Sequence, residues 1–276
     1  MNITKWNHFI GVLLLTVIPL NVAIADEGVD QTLLSSIVNG DHRSETNQAR
    51  DRFRHPQQTL EFFGINPTMT VVEIWPGKGW YTEILAPFTK QEGKFIAAGF
   101  PLNSGPKWRQ NMQAEYLNWL ATTPDLYEDV KVIELGPPSF WTLGPDESVD
   151  AVLTFRNVHN WLKGDYEDKM FDAFYRVLKP GGILGVTDHR AMPNTELKTM
   201  NKSGYLNQGL VIILAQKAGF ILEETAEINA NPFDTKDHPK GVWTLPPTLR
   251  LGDKDQKHYL AIGESDRMTL RFRKPE

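Results

Sequence analysis

The sequence predicts a doubly wound α/β fold, a parallel sheet with helices packed on both faces. Three observations carry that expectation. Short apolar runs alternate with amphipathic stretches from Thr70 onward, a glycine-rich turn follows the first run, and no repeat or long linker divides the 276 residues.

The elements follow in order. Residues 1–8 carry one positive charge, Lys5; residues 9–20 are apolar, and Ala23-Ile-Ala25 follows. That layout is a secretory signal peptide over 1–25, which predicts export to the periplasm and a mature chain from Asp26. The apolar run is shorter than the ~20 residues of a spanning helix, so no stable membrane anchor is expected after processing. Residues 26–55 read as a polar, helical extension, most polar between 41 and 56. Leu60, Phe62, Phe63 and Ile65 mark a short helix that Gly64 and Pro67 end. Strands are expected at 70–74, 94–98, 130–134, 151–155 and 183–187, and helices at 81–90, 107–120, 166–178 and 206–218. Later strands fit 220–227 and 268–273, with a proline-rich polar insertion near 229–262 between them.

Composition narrows the chemistry. There are 29 basic and 34 acidic side chains, a formal charge of -5, which argues against nonspecific binding to nucleic acid or anionic membranes. Cysteine is absent, so disulfides, thiolate nucleophiles and thiolate metal sites are excluded. The seven histidines are too scattered to suggest a metal centre, and no metal is expected.

The most informative stretch is Val71-Val-Glu73-Ile-Trp75-Pro-Gly77-Lys-Gly79-Trp-Tyr-Thr-Glu83. A buried strand ends in an acid, turns through glycines and enters a helix. Glycine lets the backbone bend sharply and approach a ligand, and the helix start offers free N–H groups. The first crossover of an open α/β sheet lies beside the ligand crevice. Further on, Asn157 and His159 follow the fourth strand, and Asp188-His189 end the fifth, both at that same carboxyl edge. Either histidine is a candidate base, with a surface or helix-capping role as the plain alternative for His159. Neighbouring residues on a strand face opposite ways, so Asp188 and His189 need not converge.

Glu73-Ile-Trp75-Pro-Gly77-Lys-Gly79 resembles the first motif of class I S-adenosylmethionine-dependent methyltransferases, acid-x-Gly-x-Gly-x-Gly. Ser148–Trp161 is similar to the fourth strand of the small-molecule members, and Arg176-Val-Leu-Lys-Pro-Gly-Gly182 to their turn into strand five. The run from Trp75 to Glu83 also resembles an uncharacterised bacterial group of exported predicted methyltransferases. The resemblance implies a Rossmann-like seven-stranded sheet over 56–276 with the last strand antiparallel. It implies S-adenosylmethionine as cofactor, held by Glu73, Trp75, Gly77, Gly79 and Asn157, with His159 or His189 as base and a small molecule or an exposed nucleophile as acceptor. Two positions depart from the family: Trp75 stands at the first glycine, and the second strand runs into Gly99-Phe100-Pro101 without the acid that binds ribose hydroxyls. The alternative is an envelope binding protein that keeps the fold without catalysis.

Other segments have plainer readings. Gly136-Pro-Pro138 is a stiff turn, the 229–247 stretch a lid or substrate loop, and residues 263–267 a hairpin or a strand start carrying a solvated ion pair. Trp75, Trp80, Tyr81, Phe100 and Trp161 line a pocket or fill the core.

Overall fold

A computed structural model describes Met1 and residues 24–276. The expected signal peptide falls almost wholly on residues 2–23, outside the described residues. The strands are β1 (Thr70–Ile74), β2 (Lys94–Gly99), β3 (Lys131–Glu134), β4 (Val149–Phe155), β5 (Leu178–His189), β6 (Ile221–Ala226) and β7 (Arg267–Arg273). They form one sheet in the order β3-β2-β1-β4-β5-β7-β6. β1 to β5 pair in parallel, whereas β7 runs antiparallel to both β5 and β6. The order reverses between β1 and β4, which places a ligand crevice beyond their carboxyl ends.

The helices before the sheet are α1 (Ile24–Val38), α2 (Glu45–Gln48), α3 (Asp51–Arg54) and α4 (Pro56–Phe62). Between strands lie α5 (Thr82–Thr89), α6 (Lys107–Thr122), α7 (Pro124–Tyr127), α8 (Val158–Gly164), α9 (Glu167–Val177), α10 (Leu197–Ser203), α11 (Gln208–Lys217) and α12 (Gln256–Ile262). Side chains alternate along each strand, so each sheet face has its own apolar layer. Val72, Val152 and Leu184 pack against α8, α9 and α11 through Trp161, Phe171, Phe174 and Val211. Val71, Phe95 and Leu153 pack on the other face against α1, α4, α5 and α6 through Leu34, Leu60, Ile84 and Tyr116.

Two readings are corrected. β5 begins at Leu178 rather than 183, because Leu178 already pairs with Val149 across an irregular register. Residues 263–267 are buried rather than solvated: Glu264, Ser265, Asp266 and Arg267 are all at most 3% exposed. The 229–262 segment carries a 3-10 turn (Gly241–Thr244) and α12, and Asn229 within it is tied to Thr59 and Thr269 by 3.0 Å hydrogen bonds.

Candidate active site

At the end of β1 the alternation breaks. Trp75 has φ +50°, the left-handed region that a side chain seldom adopts, and this turn swings its indole onto the α8/α9 face beside Ile74. The indole is 5% exposed and donates from Nε1 to the Leu135 carbonyl at 2.9 Å. It meets Phe100 at 4.6 Å between ring centroids and Trp161 and Tyr166 edge-on at 6.0 and 6.3 Å. The Arg109 guanidinium caps it at 4.7 Å. Phe100 follows β2 and Leu135 follows β3, so the indole fills the crevice beyond three strand ends. Trp80 and Tyr81 lie apart from this cluster, in the layer on the opposite face.

The neighbouring groups stay close to the glycine turn. Glu73 is buried and accepts from the Thr82 hydroxyl at 3.0 Å. Burial pushes its carboxyl up to about 8, against the pull of Thr82 and Arg54. Gly77 (φ +62°) and Gly79 (φ +82°) both need the freedom of glycine, and the space beside Gly77 is open where Trp119 crowds Gly79. Asn157 donates from Nδ2 to the Ile74 carbonyl at 2.7 Å, tying the end of β4 to that of β1.

At the adjacent edge, Asp188 gathers three donors. Its Oδ2 accepts the Val158 N–H that starts α8 at 2.7 Å, and its Oδ1 accepts the His189 N–H at 2.7 Å. The same Oδ1 meets His159 Nδ1 at 3.1 Å. Asp188 therefore orients His159, across 29 residues, and not its chain neighbour. His159 Nε2 faces the Asn160 amide at 3.1 Å. His189 contacts Ser265 through Nδ1, and the two imidazoles stand 5.3 Å apart. Burial, then His159, Arg156 and Arg267, hold His189 well below the usual imidazole value. One ligand atom each from His159, Asp188 and His189 lies within 4.8 Å of the others, the spacing of a metal site. The positive field of those arginines opposes a cation there.

That field comes from a buried group of which the sequence showed only the 263–267 ion pair. Glu264 pairs with Arg50 at 2.7 Å, Arg54 at 3.0 Å and Arg267 at 3.4 Å. Against the desolvation that would raise it, these guanidiniums and Arg156 bring Glu264 down to about 2. The local signals were Arg50 and Arg54 four residues apart and Glu264 and Arg267 three apart; the two pieces lie 210 residues and more from each other.

Residues 142–186 match a protein family described as a methyltransferase domain. Solved structures with a similar fold include an S-adenosylmethionine-dependent methyltransferase from Aquifex aeolicus, at 16% identity and TM-score 0.56, covering 87% of this chain and 98% of that one. Another is the [4+2]-cyclase SpnF, at 17% identity and TM-score 0.56, covering 91% and 94%. This is the class I methyltransferase fold. No curated protein sequence matches the chain.

S-adenosylmethionine is the cofactor this methyltransferase fold leads one to expect, and its two ends fare differently. The methionine end would meet a buried acid, Glu73, and an open glycine, Gly77. The adenosine end does not fit as the side chains stand, because the Trp75 indole occupies the crevice and no acid ends β2. Binding of the whole cofactor requires the indole to turn away.

Proposed function

We propose that the chain transfers a methyl group from S-adenosylmethionine to a small-molecule nucleophile, with His159 as the base. The observation that carries this reading is the His159–Asp188 pair at the carboxyl edge, beside the glycine turn that Asn157 braces. The cofactor supplies an electrophilic methyl group, and the protein's part in such a transfer is alignment, exclusion of water and removal of a proton. With Nδ1–H donating to Asp188, the basic nitrogen of His159 is Nε2, which Asn160 shields until an acceptor displaces it. His189, held neutral, stands close enough to accept a hydrogen bond from the same acceptor. Glu73, Gly77 and Gly79 would hold the methionine end once the Trp75 indole turns away. The charge balance speaks against nucleic acid as the acceptor, and the 1–25 leader supports export and work in the periplasm.

A second reading rests on one observation. The filled crevice at Trp75 favours a binding protein that keeps the fold without transferring methyl groups, and the likeness to a cyclase fits the rule that fold does not fix chemistry. Calorimetric titration of the protein with S-adenosylmethionine and S-adenosylhomocysteine separates the two. Saturable binding of both supports the enzyme; no heat from either removes it. For export, sequencing the amino terminus of envelope protein should begin at Asp26, and a start at Met1 counts against processing.

A further inference from the structure

The four arginines around Glu264 carry more positive charge than the chain compensates. Arg267 spends its donors inside the protein: Nη1 on Glu264, Nε on the Ser265 carbonyl and Nη2 on the Phe53 carbonyl. The others do not. Arg54 is 3% exposed, uses Nε on Glu264, and leaves Nη2 buried without a partner. Arg50 likewise uses Nε on Glu264 and leaves Nη2 unmatched. Among the described residues, the Arg156 guanidinium has no hydrogen bond or ion pair, and the residue as a whole is half-buried. The nearby acids are already engaged. Asp188 serves His159 and α8, while Asp266 pairs with Arg190 and Lys236. Three guanidiniums thus share one carboxylate, and a fourth stands unpaired beside them, in a largely buried space. Unmatched buried donors and charge of this kind are costly unless an anion supplies the missing acceptors.

The cluster is also placed where an acceptor molecule would lie. Arg50 and Arg54 sit on and just before α3, Arg156 follows β4, and Arg267 opens β7 against His189, its register partner on β5. Arg54 lies 4.6 Å over the Trp80 ring, and Tyr81 stacks on Phe155, the residue before Arg156, at 3.5 Å. Arg156 has φ +64°, a left-handed conformation that aims a long side chain back toward α3 at some cost in backbone strain. Burial, and Arg156 next, bring Arg54 down to about 9, as expected of guanidiniums crowded without enough counter-charge.

We propose that Arg50, Arg54 and Arg156 form a binding site for the oxyanion group, phosphate or carboxylate, of a small molecule that reaches the His159–His189 edge. Guanidinium forks suit both groups, whose oxygens accept paired N–H bonds. Naming this molecule the methyl acceptor rests on the reading above; the anion site does not. Its test therefore leaves S-adenosylmethionine out.

The full chain is titrated calorimetrically with inorganic phosphate and, separately, with succinate, at fixed ionic strength set by chloride. Saturable one-to-one binding of at least one is expected, and the stronger of the two tells phosphate from carboxylate. Arg156→Gln should weaken it roughly tenfold to a hundredfold, the value of one charged hydrogen-bond pair. Arg176→Gln removes the same charge from the exposed surface of α9 and should leave it unchanged. Glu264→Gln should tighten it. Absence of saturable binding to both probes, or equal loss from Arg156→Gln and Arg176→Gln, overturns the site. If the Arg156 or Glu264 variant does not fold, the wild-type chain still decides: phosphate or succinate must raise its unfolding temperature above that in chloride, and no rise overturns the proposal. Anion binding without S-adenosylmethionine binding keeps this site and removes methyl transfer; the reverse result removes the site alone.

Discussion

Trp75 concentrates the tension between the motif and the molecule. A glycine would hold φ +50° at no cost, whereas an indole there costs on the order of 1–2 kcal/mol of backbone strain. Its burial among Phe100, Trp161 and Tyr166 more than offsets that strain. Trp75→Gly should therefore lower stability by about 2–4 kcal/mol, the loss of a buried aromatic less the strain relieved. It should also open the crevice and raise affinity for S-adenosylmethionine. Denaturant unfolding and calorimetry check the two halves, and unchanged affinity in a folded variant would show that the indole never stood in the way. Glu73 gives a second test. Its folded value near 8 lies above the ordinary carboxyl range, so its contribution to stability is complete below about pH 4.5 and is lost as pH climbs toward 8. Glu73→Gln cannot ionise. Thermal unfolding from pH 5 to 9 should show the variant gaining on the wild type as pH rises, and parallel curves would place the carboxyl's titration elsewhere.

At the scale of elements, most strands and the longer helices were readable. β1, β2, β4 and the helices over α5, α6, α9 and α11 stood within a few residues of their expected limits, because apolar runs and amphipathic stretches mark them directly. The short α8, α10 and α12 did not stand out: one or two turns hold too few apolar positions to show a period. The site was legible in the same uneven way. Glu73, Gly77 and Gly79 lie within one local motif. The convergence of His159 on Asp188 and the arginines on Glu264 joins residues distant in sequence, and no local pattern records it. Asp188 illustrates the point at element scale, since one carboxylate starts α8 and holds His159. Asp188→Asn keeps the shape, but its amide can donate to His159 Nδ1 and favour the wrong tautomer. Methyl transfer, assayed with the true acceptor, should fall by at least about a hundredfold, the scale of losing a positioned base. The α8 start should weaken by roughly 1 kcal/mol. Loss of stability with undiminished turnover would leave Asp188 a cap and nothing more.

For the whole molecule, Glu264 should carry a large share of the acid sensitivity. Glu264 is held near 2 by its arginines, so the stability it lends is present above about pH 4.5 and drains away as pH falls toward 2. Unfolding followed from pH 6 to 3 should be shallower in Glu264→Gln than in the wild type, although the variant starts lower; an identical slope would assign the acid loss to other carboxylates. The surface pairs that join β6 to β7, Arg271 and Arg273 with Glu223 and Glu224, matter far less, since exposed pairs contribute at most about 1 kcal/mol each.

The span between Arg54 and Glu264 also sets a timetable. A ribosome delivers α3 and its arginines long before β7, so the guanidiniums of Arg50 and Arg54, and that of Arg156 beside them, emerge well ahead of the Glu264 carboxylate. Until then the β1–β5 layer can assemble, but its carboxyl edge must stay open and solvated, because closing it would bury charge without a counter-ion. Completion of the edge thus waits on a long-range contact of the kind that slows folding. A nascent chain halted before Glu264 should accordingly be held by chaperones or degraded, however complete its central strands.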